Sequence, residues 1–213
     1  MSTHGRVAVL LLLVAPLFLP TDSWSADWAL SEAELARLGD GGVLVTSEVA
    51  GDGVEGDVRA AVQIGATPEQ VFKTLTDCAQ ALEFVPHLVR CTVLETAPDH
   101  SWQVVEQQVY YGWFMPRASY VFRADYERFE RIRHRNLRGD FRENDGIWEF
   151  RPVRGGAATI VTYRLRLVPR FRVPHWLMRS TLMRDLPAMM RGLRAHAEHR
   201  AGLAVAAAGP AGP

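Results

Sequence analysis

From Leu88 to Val168 the chain is a series of short apolar-alternating runs separated by turn signals. These fall at Pro98-Asp99, near Met115-Pro116, near Glu127-Phe129, at Asp145-Gly146 and at Gly155-Gly156. Short strands in series with such turns predict an antiparallel meander. The stretch that follows, Pro174 to Arg200, is helical, with Met178, Leu182, Leu186, Met189, Met190, Leu193 and Ala197 near one stripe. Pro187 interrupts it, so the pattern predicts either a kink or a second helix capped by Asp185. A meander followed by one long amphipathic helix is an α+β chain.

The register of the meander can be read from its turns. A two-residue turn at Gly155-Gly156 sets Phe150 opposite Val161 and Trp148 opposite Tyr163. It sets Glu149 opposite Thr162 and Arg151 opposite Ile160 on the other face. A turn at Asp145-Gly146 would pair Phe141 with Phe150, Arg142 with Glu149 and Asp140 with Arg151. Both registers point Phe141, Trp148, Phe150, Val161, Tyr163 and Leu165 inward. A bulge at Gly139 would turn Ile132, His134 and Asn136 inward as well; without it Arg131, Arg133 and Arg135 would be buried, which is costly.

Before the meander, Ser31 and Glu34 form a capping box, with Leu30 and Leu35 as its hydrophobic staple. Strands are expected over Val43–Val49 and Asp57–Ile64. Between them, residues 51–56 match GxGxxG, but a strand follows where the dinucleotide fingerprint needs a helix, so this is a glycine-rich turn. Thr67, Pro68 and Gln70 open one helix, and a shorter one runs from Gln80 to Phe84.

Residues 1–25 read as a secretory signal: Arg6, an uncharged run from Val7 to Leu19, and small residues Ser23 and Ser25 at the cleavage site. An uncleaved anchor is the alternative. Residues 26–42 form an N-terminal helical segment, 43–200 the folded domain, and the Ala/Gly/Pro-rich 201–213 a disordered tail. Formal net charge is zero, which removes the simplest case for nucleic-acid binding. The charge is nevertheless polarised. Residues 26–116 hold 4 basic and 14 acidic side chains, and residues 117–213 hold 19 and 9. Pairing between the halves is favoured over a basic face turned to anionic lipid. Cys78 and Cys91 are the only thiols. They can pair in an oxidising compartment, or stay as two buried free thiols.

Three stretches resemble a known superfamily. Residues 76–95 (TDCAQALEFVPHLVRCTVLE) look like its helix, elbow and following strand; residues 120–126 (YVFRADY) look like its central strand; residues 139–152 (GDFRENDGIWEFRP) look like its W-x-F hairpin. The chain is thereby similar to the START-like superfamily, closest to its coenzyme Q-binding and polyketide cyclase/dehydrase branches. The resemblance spans roughly Val43 to Glu198. It implies the helix-grip fold: a curved antiparallel sheet wrapped around a long C-terminal helix, with two small helices after the first strands. It also implies an apolar cavity between sheet and helix.

Such a cavity would be lined by Phe141, Trp148, Phe150, Val161, Tyr163 and Leu165 from the sheet and Met178, Leu182, Met189 and Met190 from the helix. Thioethers adapt to irregular apolar ligands. The expected ligand is a hydrophobic small molecule (a lipid, isoprenoid or quinone) carried in the periplasm. Proton transfer by His134, Glu106 and Tyr163 would instead make a polyketide-type cyclase or dehydratase; a filled core would leave a structural module. No cofactor and no metal are expected; His196 and His199 beside Glu198 lack a third ligand. The segment around Trp176 and Arg179 suits a transient membrane contact.

Overall fold

The computed structural model describes residues 28–50, 55–113 and 117–208. The signal segment, residues 51–54 of the glycine-rich turn, the expected turn near Met115-Pro116 and residues 209–213 lie outside them. The elements run α1 (Glu32–Gly39), β1 (Val43–Ala50), β2 (Glu55–Ile64), α2 (Pro68–Thr76), α3 (Cys78–Phe84), β3 (Leu88–Thr96), β4 (Trp102–Val109), β5 (Ala118–Glu127), β6 (Arg131–Gly139), β7 (Phe141–Val153), β8 (Ala158–Pro169) and α4 (His175–Ala208). The strands form one antiparallel sheet in the order β1-β2-β8-β7-β6-β5-β4-β3. The small helices carry the chain from β2 to the far edge, and the meander walks back until β8 pairs with β2. α4 packs on β1, β2, α2 and α3. This is the helix-grip arrangement.

Local chemistry sets the helix starts. Ser31 N–H donates to Glu34 Oε2 at 2.8 Å while Glu34 N–H donates to Ser31 Oγ. Thr67 and Gln70 repeat the exchange at α2. Each cap contributes about 1 kcal/mol. α3 begins two residues earlier than Gln80, because the Asp77 carboxylate accepts the Ala79 N–H at 2.9 Å. α1 lies on the convex face of the sheet, where Leu38 packs with Leu44, Ala61 and Ile160. Cys78 and Cys91 are joined in a disulfide, Cα atoms 5.3 Å apart, which fastens α3 to β3.

The register of β7 against β8 is the expected one: Trp148 faces Tyr163, Glu149 Thr162, Phe150 Val161 and Arg151 Ile160. The expected turn at Asp145-Gly146 is corrected. β7 runs unbroken from Phe141 to Val153, and the chain reverses at Gly139-Asp140. Phe141 therefore faces Pro169, not Phe150, and Glu149 pairs with Arg131 and Arg164 rather than with Arg142. Each half of the misleading dipeptide has another duty. The Asp145 carboxylate accepts the Asn136 N–H at 2.8 Å. Gly146 lies opposite His134, and a Cβ on it would sit 2.7 Å from the Arg164 carbonyl oxygen and 2.9 Å from His134 Nε2. Phe141 still faces inward because the ladder shifts between it and Glu143. The phase change in β6 falls at Leu137 rather than Gly139: Val121 pairs with Arg138 and Phe122 with Asn136, leaving Leu137 out of the ladder and exposed. Ile132 and His134 are buried, as that phase requires.

α4 is one helix through Pro187. Asp185 lies within it and caps no second helix. The helix also runs past Arg200 to Ala208, so residues 201–208 are not a disordered tail; alanine has the highest helix propensity. The charged halves do meet, through Arg166–Asp57 at 3.2 Å and Arg200–Asp77 at 3.8 Å. Other arginines pair within the second half, because β5 to β8 are neighbours: Arg131 with Glu127 and Glu149, Arg166 with Glu143.

The close approach of Gly146 to β6 and β8 predicts that Gly146→Ala lowers stability by about 1–3 kcal/mol through overpacking. Urea unfolding would measure it; an unchanged midpoint would contradict the contact.

Candidate functional site

The concave side of the sheet is filled at one end and hollow at the other. At the filled end α4 sets Met190, Leu193 and Ala197, all without exposed surface, against Val62, Ile64, Val71 and Val161. Phe72 adds edge-on contacts to Tyr126, Phe129 and Phe150. At the other end a cavity of about 230 Å³ opens between the sheet, α3 and the first half of α4. The filled-core expectation therefore holds for only part of the interior.

Of the residues expected to line a cavity, Phe141, Trp148, Tyr163, Leu165, Leu182 and Met189 do so. Phe150, Val161, Met178 and Met190 do not; they are buried in the packed core. The helix stripe spans both ends, and its sequence does not mark where packing stops. Glu106 is corrected too. β4 turns Val105, Gln107 and Val109 to the cavity and Glu106 outward, where Arg90 approaches it at 4.0 Å. Alternation along β4 fixes two sets but not which faces in. His134 and Tyr163 do share the cavity wall. His196 is tied to the Gly192 carbonyl and to Glu83, each at 3.0 Å, and no three metal-ligating side chains cluster among the described residues.

The wall is aromatic with a polar patch. The Trp148 and Tyr163 rings stack with centroids 3.8 Å apart. His134 lies against Phe122 and Tyr163, at 5.6 and 5.9 Å. The Tyr120 hydroxyl donates to Gln107 Oε1 at 2.8 Å. Sequence reasoning missed Gln107, Tyr120, Tyr111, Asn144 and Asp185, all of which line the cavity. Near the mouth His87 Nε2 stands 3.5 Å from Asp185 Oδ2, and its ring stacks near Tyr111. Arg184 Nε donates to the other Asp185 oxygen at 2.9 Å. The disulfide forms part of the wall beside α3.

Burial controls the protonation of this wall. It pushes the phenols of Tyr163 and Tyr120 well above their ordinary value and Tyr111 up to about 12. It pushes His134 down from 6.5 to about 4. The imidazole is thus neutral at pH 7, a donor on one nitrogen and an acceptor on the other. Between pH 4 and 6.5 the unfolded ring binds a proton and the folded ring does not. Stability tied to His134 is full above pH 6.5 and falls as the pH drops toward 4, by about 3 kcal/mol in all. Unfolding of His134→Phe should therefore show a shallower acid limb than the parent protein between pH 7 and 4. Parallel limbs would contradict the buried neutral ring.

The comparisons agree with this architecture. Residues 64–194, more than half of the chain, match the family described as polyketide cyclase / dehydrase and lipid transport. No curated protein sequence matches the chain. Among solved structures, the STAR-related lipid transfer protein from Xanthomonas axonopodis superposes with a TM-score of 0.62 at 20% identity, over 73% of this chain and 93% of that one. The Zhui aromatase/cyclase from a Streptomyces species gives 0.59 at 17% identity, over 68% and 95%. The lipid transfer and protein localization domain of human StarD13 gives 0.58 at 15%, over 72% and 83%. At such identities the likeness is one of fold, and the family match carries the assignment: this chain belongs to the polyketide cyclase / dehydrase and lipid transport family.

Proposed function

We propose that the protein binds and carries a hydrophobic small molecule, a lipid, isoprenoid or quinone, in the hollow end of the helix grip. The observation that carries this reading is the cavity itself, roofed by Leu182, Leu186 and Met189 and floored by Trp148, Tyr163 and Leu165. Burying an apolar ligand there releases roughly 25 cal/mol for each Å² removed from water. An apolar void of 150 Å³ holds benzene, so about 230 Å³ suits one or two rings or the end of a longer chain. Export to the periplasm is part of the proposal, supported by the apolar run near the amino terminus and by the Cys78–Cys91 disulfide. Native mass spectrometry of protein taken from the periplasm, followed by organic extraction, tests it. A discrete bound mass is the expected result; a protein that stays bare and takes up no added isoprenoid or quinone would refute carriage.

A second reading rests on His134. It is neutral, lies in the cavity, and makes no side-chain hydrogen bond to another described residue. With Tyr163 it would serve proton transfer in a cyclisation or dehydration of a bound polyketide-like molecule. Turnover lost in His134→Ala with the fold intact would favour that reading.

Loading from a membrane is the final part of the proposal. The first turn of α4 exposes Trp176 and Arg179 beside the cavity end that holds Thr181 and Asp185, and Trp113 is exposed on the β4–β5 connection next to Tyr111. Tryptophan and arginine suit an anionic interface. Trp176→Ala with Arg179→Glu should cut sedimentation with anionic vesicles several-fold, and unchanged sedimentation would contradict membrane loading.

A further inference from the structure

Asn144 is buried at 8% exposure, yet its side-chain amide makes no hydrogen bond to another described residue. Its polar atoms are not among those sealed inside packed protein without a partner, so the amide opens onto the space beside it. Asn144 lines the cavity. Asn144 and Gly146 are successive inward positions on β7, and His134 lies opposite Gly146. The amide and the imidazole are therefore neighbours on one wall. The imidazole is likewise without a side-chain hydrogen bond. The glycine between them leaves the His134 ring its space. Tyr163 joins the same wall through its ring contact with His134.

Each group in this patch is uncharged at pH 7. An amide offers two donors and an acceptor, a neutral imidazole one of each, and a phenol one of each. Among the described residues that line the cavity there is no lysine or arginine, and the one charged side chain is the Asp185 carboxylate near the mouth. An anion entering this space would lose its hydration with no cation to replace it. A hydroxyl or carbonyl would find partners already in place.

We infer that Asn144 and His134 form a hydrogen-bonding seat for the uncharged oxygen function of a one- or two-ring ligand, and that the cavity rejects the carboxylate of the same skeleton. This rests on the cavity being a binding site, and it narrows the ligand to a neutral phenol, alcohol or ketone head. A site with polar groups left unpaired by the wrong ligand discriminates far more than an apolar one.

Equilibrium dialysis with naphthalene, 2-naphthol and 2-naphthoate at pH 7 tests the inference, using the full folded protein with its disulfide intact. The wild type should bind 2-naphthol at least tenfold more tightly than naphthalene and at least tenfold more tightly than 2-naphthoate. Asn144→Leu keeps the volume and removes the amide; it should bring 2-naphthol to within about threefold of naphthalene, with naphthalene binding retained. Equal binding of 2-naphthol and naphthalene by the wild type, or of 2-naphthol and 2-naphthoate, would overturn the seat while leaving the cavity as a binding site. Failure of all three to bind would overturn both. The wild-type ratios decide the matter even if the variant does not fold.

Discussion

The packing of the apolar stripe of α4 against β2 and β8 is the constraint on which the rest depends. Met190, Leu193 and Ala197 have no exposed surface, and they press on Val62, Ile64 and Val161 from β2 and β8. Burying each of the larger side chains is worth about 1.5–3 kcal/mol. The helix is thus anchored along its length, and most completely at Met190, Leu193 and Ala197. Its first half runs beside the part of the sheet that continues through β7 to β3. Leu182, Leu186 and Met189 pack with the core on one side and line the cavity on the other. The hollow lies between the helix and the part of the sheet that runs on beyond its packed core, and the aromatic floor comes from those strands.

The hollow end is closed by small, specific devices. The disulfide ties α3 to β3 and so fixes one wall. In the chain-entropy view a loop of this length adds about 3 kcal/mol. Gly146 lets the His134 ring come close to β7, and Asp145 takes the Asn136 N–H of β6. A wall built this way carries polar groups that the fold itself does not use. If the cavity holds a ligand, as proposed, these groups would set its head chemistry, since the apolar remainder would accept any shape of the right size.

Much of this was legible in the chain. Trp148 opposite Tyr163 and Phe150 opposite Val161 follow from the Gly155-Gly156 turn alone, because an inner and an outer set of residues agree on one register. The capping residues Ser31, Thr67 and Gln70 mark their helices through local hydrogen bonds that need no tertiary partner. What failed was decided by distant neighbours. Asp145-Gly146 has the composition of a turn, but its glycine answers to His134 and Arg164 across the sheet. Val161 and Leu165 alternate inward on β8 and both pack in the core, yet only Leu165 also borders the cavity. Glu106 and Gln107 are equivalent by pattern, and only the phase of β4 against β5 tells which one faces the cavity.

That contrast on β8 offers the most direct measurement of the central claim. Val161 and Leu165 lie on one face of one strand, four residues apart, at the filled and hollow ends. Enlarging each to phenylalanine and measuring unfolding free energy compares the two ends inside one protein. Val161→Phe should cost about 1–3 kcal/mol by overpacking. Leu165→Phe should cost far less, because the added ring enters open space, and it should also weaken ligand binding. Equal and substantial losses at both positions would mean that the concave face is packed throughout, and the account of a ligand-binding hollow would fail.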